Sequence, residues 1–434
     1  MTNRDHEDSR PEHADLAEVG RPGTARRLAS AAPIAALFAI AGAYFILQRL
    51  SPDPVPAPPI AAVPSRATAP EEPRPAQAAA SSDHWSFYHG DSALAGFASA
   101  VLPAQLAVRW RYNGEGAFTQ PAVSDEHGLY ACTTDGILVA LDFGGQERWS
   151  SPVNPDARER VEAPIATAFG LVLVPCLSGR LYAMDAATGA GRWTLDIGGE
   201  LLGTAQAFQP ADPAQPRLIA VINRTDGQTV WIDPADGAVR WRTAELSRTD
   251  SSAALADGIL AFGSCDVALH FLPAKEGAAR VDIPLGGDCQ IASGPAIVDG
   301  RVYCGSRCGK LICAELRTGQ VHWINESCPD EIFTTPAVGG DIVVFGAEDA
   351  QLYALDRATG ELRWQRELPD VPSSPVLAGD AVLVSAGGVL HRIQGQSGDL
   401  VWSYPVSDRI AGPALMGGLV IVPAGDGAIL AFGG

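Results

Sequence analysis

A unit of about 40 residues, built around a glycine turn followed by a tryptophan, recurs along this chain and limits its possible folds. Two close copies read LYAMDAATGAGRW at residues 181–193 and LYALDRATGELRW at residues 352–364. The tryptophans in this position are Trp110, Trp149, Trp193, Trp241, Trp323, Trp364 and Trp402. One gap between them has twice the usual length, and the sequence near Val281 predicts a unit there that lacks its tryptophan.

A second marker, independent of tryptophan, gives the same count. A proline or alanine stands before the first apolar run of each unit. These residues are Pro121, Pro164, Ala205, Ala253, Pro295, Pro336, Pro375 and Pro413. Both markers predict eight repeats, and units of this kind are stabilised by stacking against their neighbours.

The residues inside each unit are typical of short β-strands. The chain has 46 glycines and 33 prolines, and short apolar runs alternate with Gly, Asp and Asn. Helical periodicity is nearly absent after residue 50. Four short strands per unit, repeated eight times, predict an all-β fold, an eight-bladed β-propeller over residues 105–434.

The copy at residues 352–364 shows how a unit is built. Leu352 to Leu355 form an apolar strand, as expected where both faces of a sheet are covered. Asp356 ends this strand, because its carboxylate can accept backbone N–H groups of a turn, and Gly360 supplies the positive φ that the turn needs. Trp364 lies on the outer strand, where a large ring can fill the gap between two blades.

The turns and the chain ends predict the rest of the ring. Asp-Gly pairs at 134–137 and 425–428 favour type I′ hairpin turns. The last unit, ending in AILAFGG at 428–434, lacks a tryptophan strand, whereas the strand around Trp110 lacks the three strands that should precede it. We therefore expect the Trp110 strand to complete the last blade and close the ring.

The N-terminal part of the chain has a different composition. Residues 1–27 are polar and predict a disordered cytoplasmic tail. Residues 28–48 include 20 uncharged positions in a row and predict a transmembrane helix. Residues 49–80 form a Pro/Ala-rich linker, which favours polyproline II, and residues 81–104 lead into the first blade.

The charges around the apolar run predict its orientation. Arg21, Arg26 and Arg27 precede it and only Arg49 follows closely, so the tail should be cytoplasmic and the propeller periplasmic or extracellular. The chain would then be a single-pass protein of the bacterial inner membrane. A cleaved signal peptide and a twin-arginine export signal at Arg26 and Arg27 are the alternatives.

The overall charge argues against nucleic acid as a partner. The chain carries 31 basic and 50 acidic residues, a net charge of -19. Such a surface repels phosphate groups and anionic lipid head groups.

Eight cysteines fall into two groups. Four lie in or beside predicted strands and are expected to be buried thiols: Cys132, Cys176, Cys304 and Cys313. The other four lie in turns or loops that open on one face of the propeller: Cys265, Cys289, Cys308 and Cys328. Equivalent positions in the repeat predict two disulfides, Cys265–Cys289 and Cys308–Cys328, and a four-thiolate metal site is the alternative.

The repeats A-x-D-x-x-T-G-x-x-x-W resemble those of the pyrroloquinoline-quinone (PQQ)-like β-propeller family, and WSFYHGDSALAGFASAVLP at 85–103 resembles the stretch that precedes the first blade there. The family includes quinoprotein alcohol dehydrogenases and a cofactor-free propeller lipoprotein of the outer-membrane barrel assembly machinery. The resemblance implies, for the dehydrogenases, a ring of two adjacent cysteines near the quinone and acidic and amide ligands for calcium. This chain has no adjacent cysteine pair.

The favoured hypothesis is a membrane-tethered, non-enzymatic scaffold for protein interactions, in envelope protein assembly or quality control. Its partners would be envelope proteins or extended peptide segments, bound without a cofactor. The alternative is an enzyme similar to PQQ-dependent dehydrogenases, with PQQ and calcium, or a small-molecule sensor. By position, the best binding candidates are the loops at the channel mouth: GEGAFTQ at 114–120, RERVEA at 158–163 and PDEIFTT at 329–335.

Overall fold

The computed structural model describes residues 84–287 and 289–434. These residues form eight sheets arranged as the blades of a propeller, and the described part of the chain contains strands and no helix. The fold class predicted from the repeats is therefore confirmed. The predicted tail, apolar segment and Pro/Ala-rich linker lie outside the described residues, and no described segment is a helix able to span a membrane.

The first four blades each contain four strands in sequence order, from the innermost to the outermost. Blade 1 comprises β3 (Val123–Asp125), β4 (Gly128–Cys132), β5 (Ile137–Leu141) and β6 (Glu147–Pro152). Blade 2 comprises β7 (Ala166–Ala168), β8 (Leu171–Pro175), β9 (Arg180–Asp185) and β10 (Gly191–Asp196). Blade 3 comprises β11 (Gln206–Phe208), β12 (Leu218–Ile222), β13 (Thr229–Ile232) and β14 (Val239–Arg242). Blade 4 comprises β15 (Ala254–Ala256), β16 (Ile259–Gly263), β17 (Ala268–Pro273) and β18 (Val281–Pro284).

Blades 5 to 7 repeat this order, and blade 8 takes its fourth strand from the beginning of the propeller. Blade 5 comprises β19 (Ala296–Val298), β20 (Arg301–Gly305), β21 (Leu311–Glu315) and β22 (Val321–Asn325). Blade 6 comprises β23 (Ala337–Gly339), β24 (Ile342–Gly346), β25 (Gln351–Asp356) and β26 (Leu362–Glu367). Blade 7 comprises β27 (Val376–Ala378), β28 (Ala381–Ala386), β29 (Val389–Gln394) and β30 (Leu400–Pro405), with the short β1 (Phe97–Ala98) at its inner edge. Blade 8 comprises β31 (Ala414–Met416), β32 (Leu419–Pro423), β33 (Ala428–Gly433) and β2 (Ala107–Asn113).

The ring closes as the sequence predicts. Strand β2 pairs antiparallel with β33, and Trp110 stands opposite Ala431 in this ladder. Because β2 precedes blade 1 and β33 ends blade 8, their hydrogen bonds join the two ends of the propeller.

Five of the seven docking tryptophans lie against a glycine of the following blade. A methyl group on Gly360 would lie 2.5 Å from the indole of Trp323, and one on Gly145 would lie 2.5 Å from Trp110. The equivalent pairs are Trp149 with Gly189, Trp193 with Gly237, and Trp364 with Gly398. The glycine and the tryptophan of the repeat thus belong to one interface, in which the ring lies against a backbone that has no side chain.

Blade 4 replaces this contact with aliphatic side chains. A methyl group on Gly319 of blade 5 would lie 3.0 Å from Val281 and 3.4 Å from Ile283. Val281 pairs with Phe271 as Trp364 pairs with Ala354, so it occupies the place of the missing tryptophan, which explains the double-length gap in the repeat.

The turns confirm one expectation and correct another. Asp356 accepts N–H groups of Ala358 and Thr359 at 2.9 Å, and Gly360 has a φ of 75°. The predicted type I′ turns at 134–137 and 425–428 are wrong. In each, only the glycine has a positive φ (Gly136, 85°; Gly427, 88°), and its N–H bonds the carbonyl three residues earlier, as in a type I turn followed by a bulge.

Residues 84–104, here called the leading segment, cross the channel along the inner strands. Backbone carbonyls of this segment accept hydrogen bonds of 2.7 to 2.9 Å from amides of six blades. The donors are Ser124, Thr167, Leu255, Ile297, Val338, Leu377 and Gly379. The segment thereby satisfies inner-strand amides that have no partner within their own blades.

Candidate binding site at the loop face

A cavity of about 980 Å³ opens on the face that carries the loops between blades. All three loops favoured from the sequence contribute to it: Thr119 and Gln120 from the first, Arg158 to Glu162 from the second, and Phe333 and Thr335 from the third. Loops of blades 3 to 5 and the loop leading into blade 8 complete the wall. Sequence position alone therefore located this site.

The leading segment forms the inner end of the cavity, which the repeats did not predict. Tyr88 lines the cavity, and its hydroxyl lies 2.6 Å from the Ser374 hydroxyl. On the other side of the segment, Trp85 and His89 line a smaller pocket of about 210 Å³. The leading segment therefore separates the two spaces, and the large cavity is reached from the loop face.

Every carboxylate that lines the cavity is paired with an arginine. Asp135 lies 3.4 Å from Arg158, and Glu162 pairs with Arg160. Glu159 lies 3.5 Å from Arg180.

Hydrogen bonding reinforces the pairing of Glu159. Burial opposes its ionisation, but hydrogen bonds from Tyr182, Ser178 and Asn154, together with Arg180, outweigh that effect and lower the pKa of this carboxyl. Glu159 is therefore a fixed anion within the wall.

Asp250 is held in a similar way. It lies 2.6 Å from Arg224 and 2.9 Å from Arg248. Burial opposes its ionisation, yet the two guanidinium groups lower its pKa below the usual range.

Two side chains on the wall are exposed to a ligand, those of Arg409 and Phe333. Arg409 is exposed and forms no ion pair among the described residues. Phe333 is 38% exposed, and the Arg307 guanidinium stacks over its ring at 5.4 Å. An aromatic ring and a cation suit a polar ligand with apolar side chains.

A Ser–His–Asp chain in blade 4 has the distances of a hydrolytic triad. His270 Nε2 lies 2.7 Å from Ser264 Oγ, and His270 Nδ1 lies 2.7 Å from Asp282 Oδ1. Ser264 is fully buried, and its Oγ also accepts the Asp266 N–H at 3.1 Å. No substrate can reach this hydroxyl, so the three residues stabilise the turn between β16 and β17.

Sequence reasoning missed this chain of contacts, although the repeat contains a signal for it. His270 stands where other blades have Tyr182 and Tyr353, whose hydroxyls donate to Glu159 and Asp349. Burial lowers the pKa of His270. The polar side chain at this position of the repeat therefore forms hydrogen bonds with its own blade or the adjoining loop.

The four loop cysteines are paired differently from the prediction. Cys289 is bonded to Cys308, with their Cα atoms 5.0 Å apart, whereas Cys265 and Cys328 are free thiols. The predicted pairs were wrong because the loop that carries Cys289 lies between two turns, one with Cys265 and one with Cys308. The position of each cysteine in the repeat does not show which turn provides the partner. The described residues contain no group of three or more potential metal ligands, so the four-thiolate alternative has no site there.

The family model described as outer membrane protein assembly factor BamB matches residues 134–366 of this chain. The chain belongs to this family. The match includes three of the tryptophan–glycine contacts, Trp149–Gly189, Trp193–Gly237 and Trp323–Gly360, and it agrees with the resemblance drawn from the repeats.

Similar proteins include both outer membrane assembly factors and quinoprotein dehydrogenases. The outer membrane protein assembly factor BamB of Bordetella pertussis is 23% identical over 290 residues, covering 64% of this chain and 73% of that protein. The crystal structure of BamB from Moraxella catarrhalis superposes with a TM-score of 0.64 at 21% identity, covering 76% of this chain and 98% of that one. Quinohemoprotein alcohol dehydrogenase from Comamonas testosteroni gives a TM-score of 0.67 at 13% identity, covering 82% and 81%. The two structural likenesses show the shared propeller fold.

The cavity does not fit PQQ with calcium. Calcium requires several oxygen ligands, including carboxylates, but all four carboxylates lining the cavity are held by arginines. The disulfide of this chain joins residues 19 positions apart, between a loop and a turn, and it is not the ring of adjacent cysteines typical of the quinoproteins.

Proposed function

We propose that this chain is a non-enzymatic scaffold that binds extended segments of envelope proteins at its loop face, in outer-membrane protein assembly or quality control. The observation that carries the proposal is the cavity at the channel mouth. Its volume of about 980 Å³ is at the upper limit of small-molecule pockets, and its wall exposes polar and apolar surface in similar proportions. These properties suit a polypeptide segment that leaves part of its length outside the protein.

The lining supports this ligand class. A polypeptide offers backbone N–H and C=O groups, which Thr119 and Gln120 can bind, and side chains that Phe333 can contact. Arg409 can pair with an acidic side chain or donate a hydrogen bond to a carbonyl oxygen. The relatives named as outer membrane protein assembly factors support the same setting.

The proposal includes tethering to the bacterial inner membrane. The apolar run at 28–48 would cross the membrane, and the linker at 49–80 would hold the propeller away from its outer surface. Protease protection in spheroplasts tests this part. Digestion of the propeller by external protease is the expected result, and full protection of the propeller would contradict it.

Peptide binding to the full-length chain tests the site. The probe is a fluorescent synthetic peptide with the alternating polar and apolar residues of a membrane barrel strand. Phe333→Ala and Arg409→Glu are each expected to weaken binding by about tenfold, or about 1.4 kcal/mol. Arg217→Ala is the matched control, since Arg217 lies in the loop between β11 and β12, on the opposite face. Unchanged affinity in both cavity variants would refute the site.

A second measurement distinguishes binding from catalysis. The full-length chain is mixed with PQQ and calcium, and both the absorption spectrum and alcohol-dependent dye reduction are recorded. The scaffold proposal predicts neither a bound-quinone spectrum nor turnover. Stoichiometric quinone binding with turnover would overturn it.

A further inference from the structure

The loop that carries Cys289 lies between two turns, each of which carries another cysteine. The Ile291 N–H donates a hydrogen bond of 3.2 Å to the carbonyl of Ser264, the residue before Cys265. On the other side, the Arg307 N–H donates a bond of 2.8 Å to the carbonyl of Gln290. Since consecutive Cα atoms are about 3.8 Å apart, Cys289 has a cysteine-bearing turn on each side.

The same arrangement recurs one blade further on. The Ile332 N–H donates a bond of 3.0 Å to the Ser306 carbonyl, and this ties the loop leading into blade 6 to the turn that contains Cys308. A methyl group on Gly309 would lie 2.3 Å from the carbonyl oxygen of Cys328. Cys308 therefore has Cys289 on one side and Cys328 on the other.

We propose that Cys265, Cys289, Cys308 and Cys328 form a thiol–disulfide exchange site at the loop face. The central Cys289–Cys308 disulfide has a free thiol on each side. In the first direction of exchange, the Cys265 thiolate attacks Sγ of Cys289, the Cys265–Cys289 bond forms, the Cys289–Cys308 bond breaks, and the electron pair leaves on Cys308. In the second, the Cys328 thiolate attacks Sγ of Cys308 and releases Cys289. One disulfide and two thiols are present before and after either step, so neither needs an oxidant.

The surroundings of the two flanking thiols set the conditions for exchange. Burial raises the pKa of Cys265, an effect that Asp250 and Asp266 add to and that Arg248 and Arg307 oppose. Burial also raises the pKa of Cys328, to about 11. Because the thiolate is the attacking species, exchange is slow near neutral pH and accelerates as pH rises.

Exchange would change the wall of the cavity. Arg307, which stacks over Phe333 and lies 3.2 Å from Glu331, is the residue next to Cys308. Moving the disulfide away from Cys308 removes the covalent link between its turn and the loop that carries Cys289. The exchange site and the cavity wall therefore share the turn at 306–309.

Disulfide mapping of the full-length chain tests the proposal independently of peptide binding. Each variant is incubated with oxidised glutathione, free thiols are blocked with N-ethylmaleimide, and linked peptides are identified by mass spectrometry. Cys308→Ser is expected to contain mainly Cys265–Cys289, and Cys289→Ser mainly Cys308–Cys328. Cys313→Ala, which removes a buried thiol from blade 5, is the matched control and should keep Cys289–Cys308.

Near-ultraviolet circular dichroism checks that the variants keep their tryptophan packing. Recovery of Cys289 in folded Cys308→Ser as a glutathione adduct or an alkylated thiol, with Cys265 also free, would overturn the first direction of exchange. The corresponding result for Cys308 and Cys328 in Cys289→Ser would overturn the second. If one variant fails to fold, the same direction of exchange is tested in wild-type protein at alkaline pH. The rearranged disulfide is expected there as a minor product. Its absence would refute that direction of exchange.

Discussion

Trp364 of blade 6 lies against Gly398 of blade 7, where an added methyl group would be only 2.8 Å from the indole. The same pairing recurs at four other blade junctions. The junction therefore depends on the absence of a side chain as much as on the presence of a ring.

Gly398→Ala should destabilise the propeller through two effects. The residue has a φ of 75°, and its new methyl group would overlap the Trp364 ring. Gly170→Ala is the matched control, because Gly170 has a φ of 74° but no atom within 4 Å of the methyl position. We expect Gly170→Ala to cost about 1 kcal/mol and Gly398→Ala about 1 to 3 kcal/mol more, measured by urea unfolding. Equal losses of stability in Gly398→Ala and Gly170→Ala would show that the Trp364 ring moves aside without strain.

The indole N–H contributes to docking where it has a partner. Trp364 donates a hydrogen bond of 2.7 Å to the Gly395 carbonyl, whereas the buried Nε1 of Trp149 has no partner among the described residues. Phenylalanine keeps an aromatic ring but removes the donor. Trp364→Phe should therefore cost about 1 kcal/mol more than Trp149→Phe in unfolding free energy.

Complete removal of the ring is a stronger test. Trp364→Ala should cost about 3 to 5 kcal/mol because it leaves a cavity between the blades. Stability equal to that of the wild type would contradict the docking role.

Asp356 makes stability depend on pH in the acid range. The Arg363 guanidinium and the backbone amides of Thr359 and Ala358 lower its pKa from 3.8 to about 2, against the opposing effect of burial. A lowered pKa means that the contribution to stability is present above the unfolded value and is lost as pH falls through the folded value.

Asp356→Asn should cost about 1 kcal/mol at neutral pH. Its difference from wild type should shrink as pH falls from 3.8 to about 2. Parallel urea unfolding series measure this difference. Asp156→Asn, at an exposed loop position with no ion pair among the described residues, should show no such convergence.

His89 fixes the leading segment to blade 7. Its two ring nitrogens lie 2.9 Å from the carbonyl oxygen of Leu94 and 2.7 Å from that of Pro375. Because burial lowers the pKa of His89, the neutral ring donates one N–H; His89→Phe leaves a buried carbonyl without this donor and should cost about 1 to 3 kcal/mol.

Hydrogen exchange locates the effect of this change. The Leu377 amide, bonded to the Gly96 carbonyl, should exchange faster in His89→Phe. The Thr167 amide, bonded to the Ser86 carbonyl at the other end of the segment, should change less. Equal acceleration at both amides would indicate general loosening and contradict a local role for His89.

The sequence predicted those features that the repeat specifies in every copy. The blade count, the closing strand and the turn at Asp356 follow from residue types whose physical role is the same in each unit. The position of the cavity followed as well, because strand polarity places all loops between blades on one face.

Features outside the repeat, or equally compatible with two local geometries, were not predictable. The leading segment has no copy in the blades, so its path across the channel left no periodic signal. Asp-Gly suits both a type I′ turn and a type I turn with a bulge, since each needs a glycine with positive φ. The choice of Cys308 over Cys265 as the partner of Cys289 depends on loop conformation, which the spacing of the cysteines does not determine.

The path of the leading segment constrains how the protein is made. Residues 85–98 leave the ribosome before any blade exists, yet their hydrogen-bond partners extend to Gly379. Strand β2 cannot close the ring until its partner, Ala428–Gly433, has been synthesised. Contacts so distant in sequence form slowly, and the edges of early blades remain unpaired until β33 has been synthesised. A chain that belongs to a family of protein assembly factors is thus itself exposed to misassembly while its ring is open.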